Sequence, residues 1–196
     1  MEYSAYDERE PYTVEKARRG DREAFVELVQ HYQTPVFNLA YRMLGSAADA
    51  EDAAQETFLR AYTQLAGFVP GRKFASWLLG IAAHYCIDRL RRAKFAGPSL
   101  DDDDWRDRLA ADAPQPDDVV MAHEQQQDAQ RLLNTLPPAY RAVVVLKYWS
   151  DLSMDEIAKA TGDTPGAVKV KLYRARQAMA RTAAKPQLAQ TVKSYA

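Results

Sequence analysis

The sequence predicts an all-α protein: two small helical domains joined by a flexible acidic linker. Three observations predict it. Apolar residues recur at three- and four-residue spacing along most of the chain, and no stretch shows the strict alternation of a half-buried strand. Glycine is scarce, 8 of 196 residues, while alanine recurs in helical patterns. Between two helical stretches, residues 95–122 carry eight acids, two bases and Pro98, Pro114 and Pro116, a composition that suits a solvated connector rather than a core.

Each element has its own signal. Residues 1–12 read as a flexible tail and 13–94 as the first domain. Asp21 is placed to cap a helix running to Leu44, with Phe25, Leu28, Val29, Tyr32, Val36, Leu39, Ala40 and Met43 on its apolar side. Pro35 is expected to kink that helix and Gly45 to end it. Ser46 and Asp49 match a capping box for the next helix, whose expected apolar stripe is Ala54, Phe58, Ala61 and Leu65. A loop over 67–73 leads to a third helix, about 74–93. Beyond the linker, 119–136 is amphipathic. Pro137 and Pro138 break it, and Pro138 is tolerated in the first turn of a helix reaching Trp149. Ser153 and Glu156 form a capping box for 154–160, a tight turn follows at 161–163, and Thr164 caps a last helix with Pro165 at its first position. The second domain is assigned to 123–185, and 186–196 reads as a frayed tail.

Composition excludes several classes. A chain 47% hydrophobic with net charge -1 is not globally disordered. Neutrality excludes a histone-like polycation, but nucleic-acid binding depends on how charge is distributed. The single cysteine, Cys86, excludes an intramolecular disulfide framework and reads as a buried thiol in a reducing compartment. The longest apolar run, 142–146, is far short of the roughly 18 residues a membrane span needs. Residues 1–12 are polar and acidic, unlike a signal peptide, so the expected location is the cytoplasm.

Charge lies in blocks. Residues 46–59 hold Asp49, Glu51, Asp52 and Glu56 and no base. Residues 72–94 hold Arg72, Lys73, Arg89, Arg91, Arg92 and Lys94 against Asp88 alone. Residues 164–185 hold six bases and no acid. Such segregation points to separate surfaces for separate partners.

The last two helices have the form of a helix-turn-helix. On a helical wheel Val168, Leu172, Ala175 and Met179 form the buried side, and Gly166, Lys169, Val170, Tyr173, Arg174 and Gln177 face outward. Lys171 and Arg176 flank the buried stripe. Donors, an apolar residue and an aromatic on one cationic face suit the major groove better than a merely solvated helix requires. In the third helix Phe68, Phe74, Trp77 and Tyr85 neighbour Arg72, Lys73, Arg89, Arg91 and Arg92, the combination that stacks unpaired bases and follows phosphates. That signal is weak alone, because Phe68, Phe74 and Trp77 also read as core. His31, His84 and His123 have no second histidine or cysteine at ligand spacing, so no metal is expected. The four aspartates 101–104 read as solvated linker rather than a metal site, and Trp105 beside them as a small anchor. No phosphate loop, glycine fingerprint or nucleophile–base set is present, so neither catalysis nor a cofactor is expected.

Several segments together carry a family resemblance. Residues 46–62 (SAADAEDAAQETFLRAY) resemble the core-binding segment of bacterial RNA polymerase sigma factors of the extracytoplasmic-function (ECF) type, in the sigma-70 family. Residues 74–82 (FASWLLGIA) followed by 88–92 (DRLRR) resemble their promoter -10 segment. Residues 136–141 (LPPAYR), 152–158 (LSMDEIA) and 166–169 (GAVK) resemble their -35-binding domain. The segments run in order across about 23–181. The resemblance implies two helical domains, regions 2 and 4, in a dissociable polymerase subunit that recognises promoters, promotes melting and has no catalysis of its own. It implies that Asp49, Asp52, Gln55 and Glu56 dock on core RNA polymerase. It implies that Phe68, Arg72, Lys73, Trp77, His84, Arg89, Arg91 and Arg92 serve the -10 element, with the 68–74 loop capturing a flipped base. His84 stands where the family commonly has Asn. Lys169, Val170, Lys171, Tyr173, Arg174, Arg176 and Gln177 fall in the -35-binding segment, and Val170 stands where a small polar residue is frequent. The partners implied are core polymerase, promoter DNA and an anti-sigma factor, with no membrane insertion and no small-molecule substrate.

Two other readings each fit part of the sequence. A stand-alone operator-binding regulator accounts for residues 123–185, but it predicts a dimer and leaves the acidic face at 49–56 unexplained. An enzyme using carboxylates lacks any residue that orients a base or nucleophile.

Overall fold

The computed structural model describes residues 9–95 and 121–193, with side chains at 9–93 and 128–183. All the regular structure there is helical. The linker core at 96–120, with the aspartates 101–104 and Trp105, lies outside the described residues, as does His123 beyond its backbone.

The first half holds α1 (Glu10–Arg18), α2 (Arg22–Leu44), α3 (Ala47–Gln64) and α4 (Phe74–Phe95), with a 3₁₀ turn at Leu65–Gly67 after α3. Helix α1 begins inside the segment expected to be a tail. Its signals are Pro11 in the first turn and Val14 and Ala17 on the buried side. Asp21 caps α2 by accepting from the Ala24 amide at 3.1 Å, and Gly45 ends it at φ 78°, a left-handed turn that glycine makes without strain. The helix runs on through Pro35.

Helix α3 departs from expectation in two ways. Ser46 accepts from the Asp49 amide at 3.3 Å, but the Asp49 carboxylate turns to Arg89, so only half of a capping box forms. The fully buried residues are Ala50, Ala53, Thr57 and Ala61, while Ala54 and Phe58 are only partly covered. Thr57 is polar, but its hydroxyl donates to the Ala53 carbonyl at 2.6 Å and enters the core satisfied.

The second half holds α5 (Met121–Asn134), α6 (Pro138–Tyr148), α7 (Met154–Thr161) and α8 (Pro165–Lys193). The α7 cap is a full capping box: Ser153 Oγ accepts from the Glu156 amide at 3.3 Å, and the Ser153 amide donates to Glu156 Oε2 at 2.8 Å. Gly162, at φ 72°, turns the chain into α8, where Thr164 Oγ1 accepts from the Ala167 amide at 3.2 Å. Helix α8 continues to Lys193, through most of the stretch read as a frayed tail.

The two halves share one core. Helix α2 packs on α1, α3 and α4; helix α4 also packs on α7; and α6 touches α2, α4, α7 and α8. The run 142–146 is therefore buried all round, from Ala142 to Leu146. Three consecutive valines are indifferent helix formers, and burial on every side holds them. Cys86 is buried on α4, and burial pushes its thiol up to about 12.

Candidate nucleic-acid interface

Helices α7 and α8 make the predicted helix-turn-helix. Val168, Leu172 and Ala175 are buried in α8 as expected, and Ala178 rather than Met179 completes the stripe. On the opposite side Lys169, Val170, Tyr173 and Gln177 are exposed, and Gln177 donates to the Tyr173 hydroxyl at 2.8 Å. Three cations depart from simple outward exposure. Arg174 is half-buried and donates to the Tyr140 hydroxyl at 3.4 Å. Lys171 donates to both Asp163 carboxylate oxygens at 2.8 Å, pinning the turn. Arg176 reaches back to the Tyr148 hydroxyl and lies over that ring. The acid-free count from Thr164 onward stops one residue short of Asp163, so the Lys171 pair is not visible in it.

The acidic face of α3 is also more paired than its local sequence indicates. Arg89, forty positions along the chain, donates to Asp49 and lies 3.9 Å from Asp52. Arg60 donates to Glu56 at 2.7 Å. Asp52 and Gln55 remain exposed. This corrects the expectation that the face lacks nearby bases: Arg89, which also donates to the Tyr85 hydroxyl at 3.5 Å, joins the aromatic–basic cluster to the acidic face.

That cluster divides in two. Phe68 is buried, with Phe74 and Trp77 edge-on at 5.7 and 5.3 Å between ring centroids. Phe68 is therefore mainly a core residue, with 5% of its surface exposed. Trp77 is half-buried, whereas Arg72, Lys73, His84, Arg91 and Arg92 are exposed. His84 is anchored by a 2.9 Å contact between its Nδ1 and the Gly80 carbonyl. Trp77, Gly80, Ile81 and His84 form one wall of a cleft of about 360 Å³. The opposite wall is Glu156, Lys159 and Ala160 of α7.

Residues 28–96 match the family model of Sigma-70 region 2, and residues 126–179 match that of Sigma-70, region 4. ECF RNA polymerase sigma factor SigW of Bacillus subtilis is 36% identical over 174 residues, which is 85% of this chain and 92% of that one. The chain belongs to the ECF sigma factors. SigE of Mycolicibacterium smegmatis is 36% identical over 152 residues, 77% of this chain and 58% of its own. Two solved structures share the fold. One is CnrH in complex with the cytosolic domain of CnrY, with TM-score 0.65 and 24% identity over 88% of this chain and 96% of that one. The other is RpoE from Bartonella quintana in complex with the anti-sigma factor NepR, with TM-score 0.61 and 20% identity over 79% and 93%.

The chain is thus an alternative sigma factor of transcription initiation, and nothing supports a stand-alone operator-binding regulator. In this sigma factor the region 2 match begins within α2 and runs through α4, with α1 lying before it, and the region 4 match ends within α8. No described helix is long and apolar enough to cross a membrane.

The sequence reading did not find the residues joining the halves. Arg141 is buried: Nη1 donates to the Met43 carbonyl at 2.6 Å, and Nη2 to the Asn134 and Leu136 carbonyls at 3.0 and 3.4 Å. Burial brings its guanidinium down to about 10. Gln130 donates to the Arg42 carbonyl at 3.0 Å, and the Arg42 guanidinium lies 4.5 Å from the Trp149 ring centre. Lys73 and Glu156 pair at 2.8 Å.

Glu156 serves both the α7 cap and this seam. Burial alone would raise its carboxyl, but the bonds from Lys73 and Ser153 outweigh burial and hold it down at about 2, against 4.5 unperturbed. A depressed carboxyl contributes stability above its unfolded pKa and loses it as pH falls toward the folded one. The Glu156 contribution is therefore complete above about pH 4.5 and fades toward pH 2. Thermal melts of wild type and Glu156→Gln from pH 6 to pH 2 are expected to differ most at the upper end and converge at the lower. A constant difference across that range would contradict the assignment.

Proposed function

We propose that this sigma factor uses three faces in initiation: Asp49, Asp52, Gln55 and Glu56 of α3 for core RNA polymerase, the exposed cations and Trp77 of α4 for the melted -10 strand, and the outer face of α8 for duplex -35 DNA. The observation that carries this reading is the capped helix-turn-helix, with Val168, Leu172 and Ala175 buried and Lys169, Val170 and Tyr173 exposed. Lys169 is free of acidic neighbours on its own helix and can donate to base edges, while Val170 suits a thymine methyl. His84 stands at the mouth of the cleft beside Trp77, where a splayed base can stack. The protein works without catalysis of its own, in the cytoplasm, and an anti-sigma factor is its expected regulator. The RpoE–NepR complex, which shares this fold, supports that last point. The domain boundaries proposed are 13–94 and 123–185 around the linker, with α1 extending the first back to Glu10.

The test is initiation by purified core RNA polymerase on a library of genomic fragments. Adding the chain is expected to create defined start sites that core alone does not use, and absence of such sites overturns the reading. Asp52→Lys combined with Glu56→Gln is expected to weaken binding to core by about tenfold, ~1.4 kcal/mol, because it reverses the exposed charge at Asp52 and removes the one at Glu56 on the proposed docking face. Unchanged binding with unchanged helicity would remove α3 from the interface.

A further inference from the structure

The end of α6 carries three side chains with different duties. Lys147 donates to the Leu152 carbonyl at 3.1 Å and ties down the turn into α7. The Trp149 ring lies against the Arg42 guanidinium. Tyr148, between them, is 50% exposed, and its hydroxyl meets Arg176 of α8. Arg176 donates to that hydroxyl through Nε at 2.7 Å and also through Nη2, and its guanidinium carbon lies 5.6 Å from the ring centre. Such a fork commonly grips a carboxylate. Here it grips a neutral oxygen, and among the described residues no carboxylate lies within ion-pair distance of Arg176. The charge of Arg176 is therefore held in place without being cancelled. Lys171 on the same helix is the contrast, since Asp163 takes its ammonium.

We propose that Tyr148 and Arg176 form a clamp for one backbone phosphate of duplex DNA lying along α8. The pair offers donors alone. The Tyr148 oxygen accepts twice, which uses both lone pairs and leaves its proton to donate. Two of the five guanidinium N–H groups are engaged, and the other three remain. A fixed positive charge with several donors and no acceptor suits a phosphate oxygen. Position agrees with this. Arg176 lies two turns beyond Lys169, roughly 10 Å along the axis and about 60° around it from Tyr173. The first residues of such a helix read base edges. Further along and to one flank, the helix meets the groove wall, where the phosphates run. Tyr148 falls between segments 136–141 and 152–158, so no family motif marks it. The clamp sets the register of the protein on DNA and reads no base. It rests on α8 being the duplex-binding helix proposed above, but not on the -35 assignment, because phosphates are alike at every sequence.

The test uses the full chain and a fluorescein-labelled duplex pool of random sequence, about 25 base pairs long, titrated from about 50 to about 200 mM salt. Arg176→Gln is expected to lower the slope of log Kd against log salt by about one. Arg176→Lys keeps the charge and the slope but loses the fork, and is expected to bind about threefold more weakly. Tyr148→Phe keeps the ring beside the guanidinium and the slope, and is expected to bind about three- to tenfold more weakly for want of the hydroxyl. None of the three is expected to change the ranking of sequences in a -35 library or the melting temperature, because both groups lie at the surface. A structural role alone predicts the reverse: lower melting temperature with unchanged slope and affinity. An Arg176→Gln slope equal to wild type, Tyr148→Phe affinity equal to wild type, or a changed ranking in either variant overturns the clamp. If Lys169→Ala leaves the ranking intact while Arg176→Gln and Tyr148→Phe still weaken the random duplex, the clamp stands and the -35 reading fails. A wild-type chain that binds no duplex overturns both.

Discussion

Replacing Arg141 by Leu is expected to lower the stability of this sigma factor by about 3 kcal/mol. The side chain is 7% exposed and serves three carbonyls, one from α2, one from the last residue of α5 and one from the turn before α6. Leucine leaves the Met43 and Leu136 carbonyls buried without that donor, and each such loss costs roughly 1–3 kcal/mol. The carbonyl of Met43 ends a helix and has no intrahelical amide to turn to. Lysine reaches one carbonyl at most, so Arg141→Lys is expected to recover only part of the loss. Denaturant melts of the three proteins check the order wild type, Lys, Leu. A Leu variant within ~0.5 kcal/mol of wild type would show that water already satisfies these groups.

The second large effect concerns selectivity. Lys169→Ala is expected to relax preference at one or two -35 positions by about 1–3 kcal/mol per lost base contact, and Tyr173→Ala to weaken the same contacts. Both side chains stand clear of the core, with Tyr173 61% exposed. Lys171→Ala is expected to behave differently, although it lies two residues away on the same cationic helix. Its ammonium is committed to Asp163, so its loss loosens the helix-turn-helix turn and leaves sequence preference unchanged. A promoter library read with each variant separates the cases. The assignment of α8 fails if Lys169→Ala keeps wild-type preferences, or if Lys171→Ala shifts them more than Lys169→Ala does.

These contrasts show where linear reasoning reached its limit. Caps were legible because a cap is local: Asp21, Ser153 with Glu156, and Thr164 each bond an amide three residues on. The buried face of α8 was legible because its aliphatic residues follow one stripe. On α3 the stripe was half right: Ala61 and Leu65 are buried, but alanines occupy several faces and only packing distinguishes Ala50 and Ala53 from Ala54. Phe68 was offered to DNA because an aromatic beside bases looks the same in sequence whether it faces solvent or Phe74 and Trp77. Arg89 and Lys171 looked available for phosphates because their acids lie on other elements, forty and eight positions away.

The helices between Asp21 and Thr164 and their caps, the cationic recognition helix and the family motifs follow from residues within a turn or two of one another, and the chain alone determines them, whereas α1 and the far end of α8 were read as tails. The seam does not. Gly80 looks like an ordinary small residue in a helix, the 142–146 run like the inside of one small domain, and Arg141 like a surface base after a proline pair. Tertiary structure makes Gly80 a crossing point, α6 a helix buried between both halves, and Arg141 a tie to the end of α2. The reason is physical: capping and periodicity are properties of neighbours along the chain, whereas steric approach, full burial and the satisfaction of distant carbonyls exist only once the helices have packed.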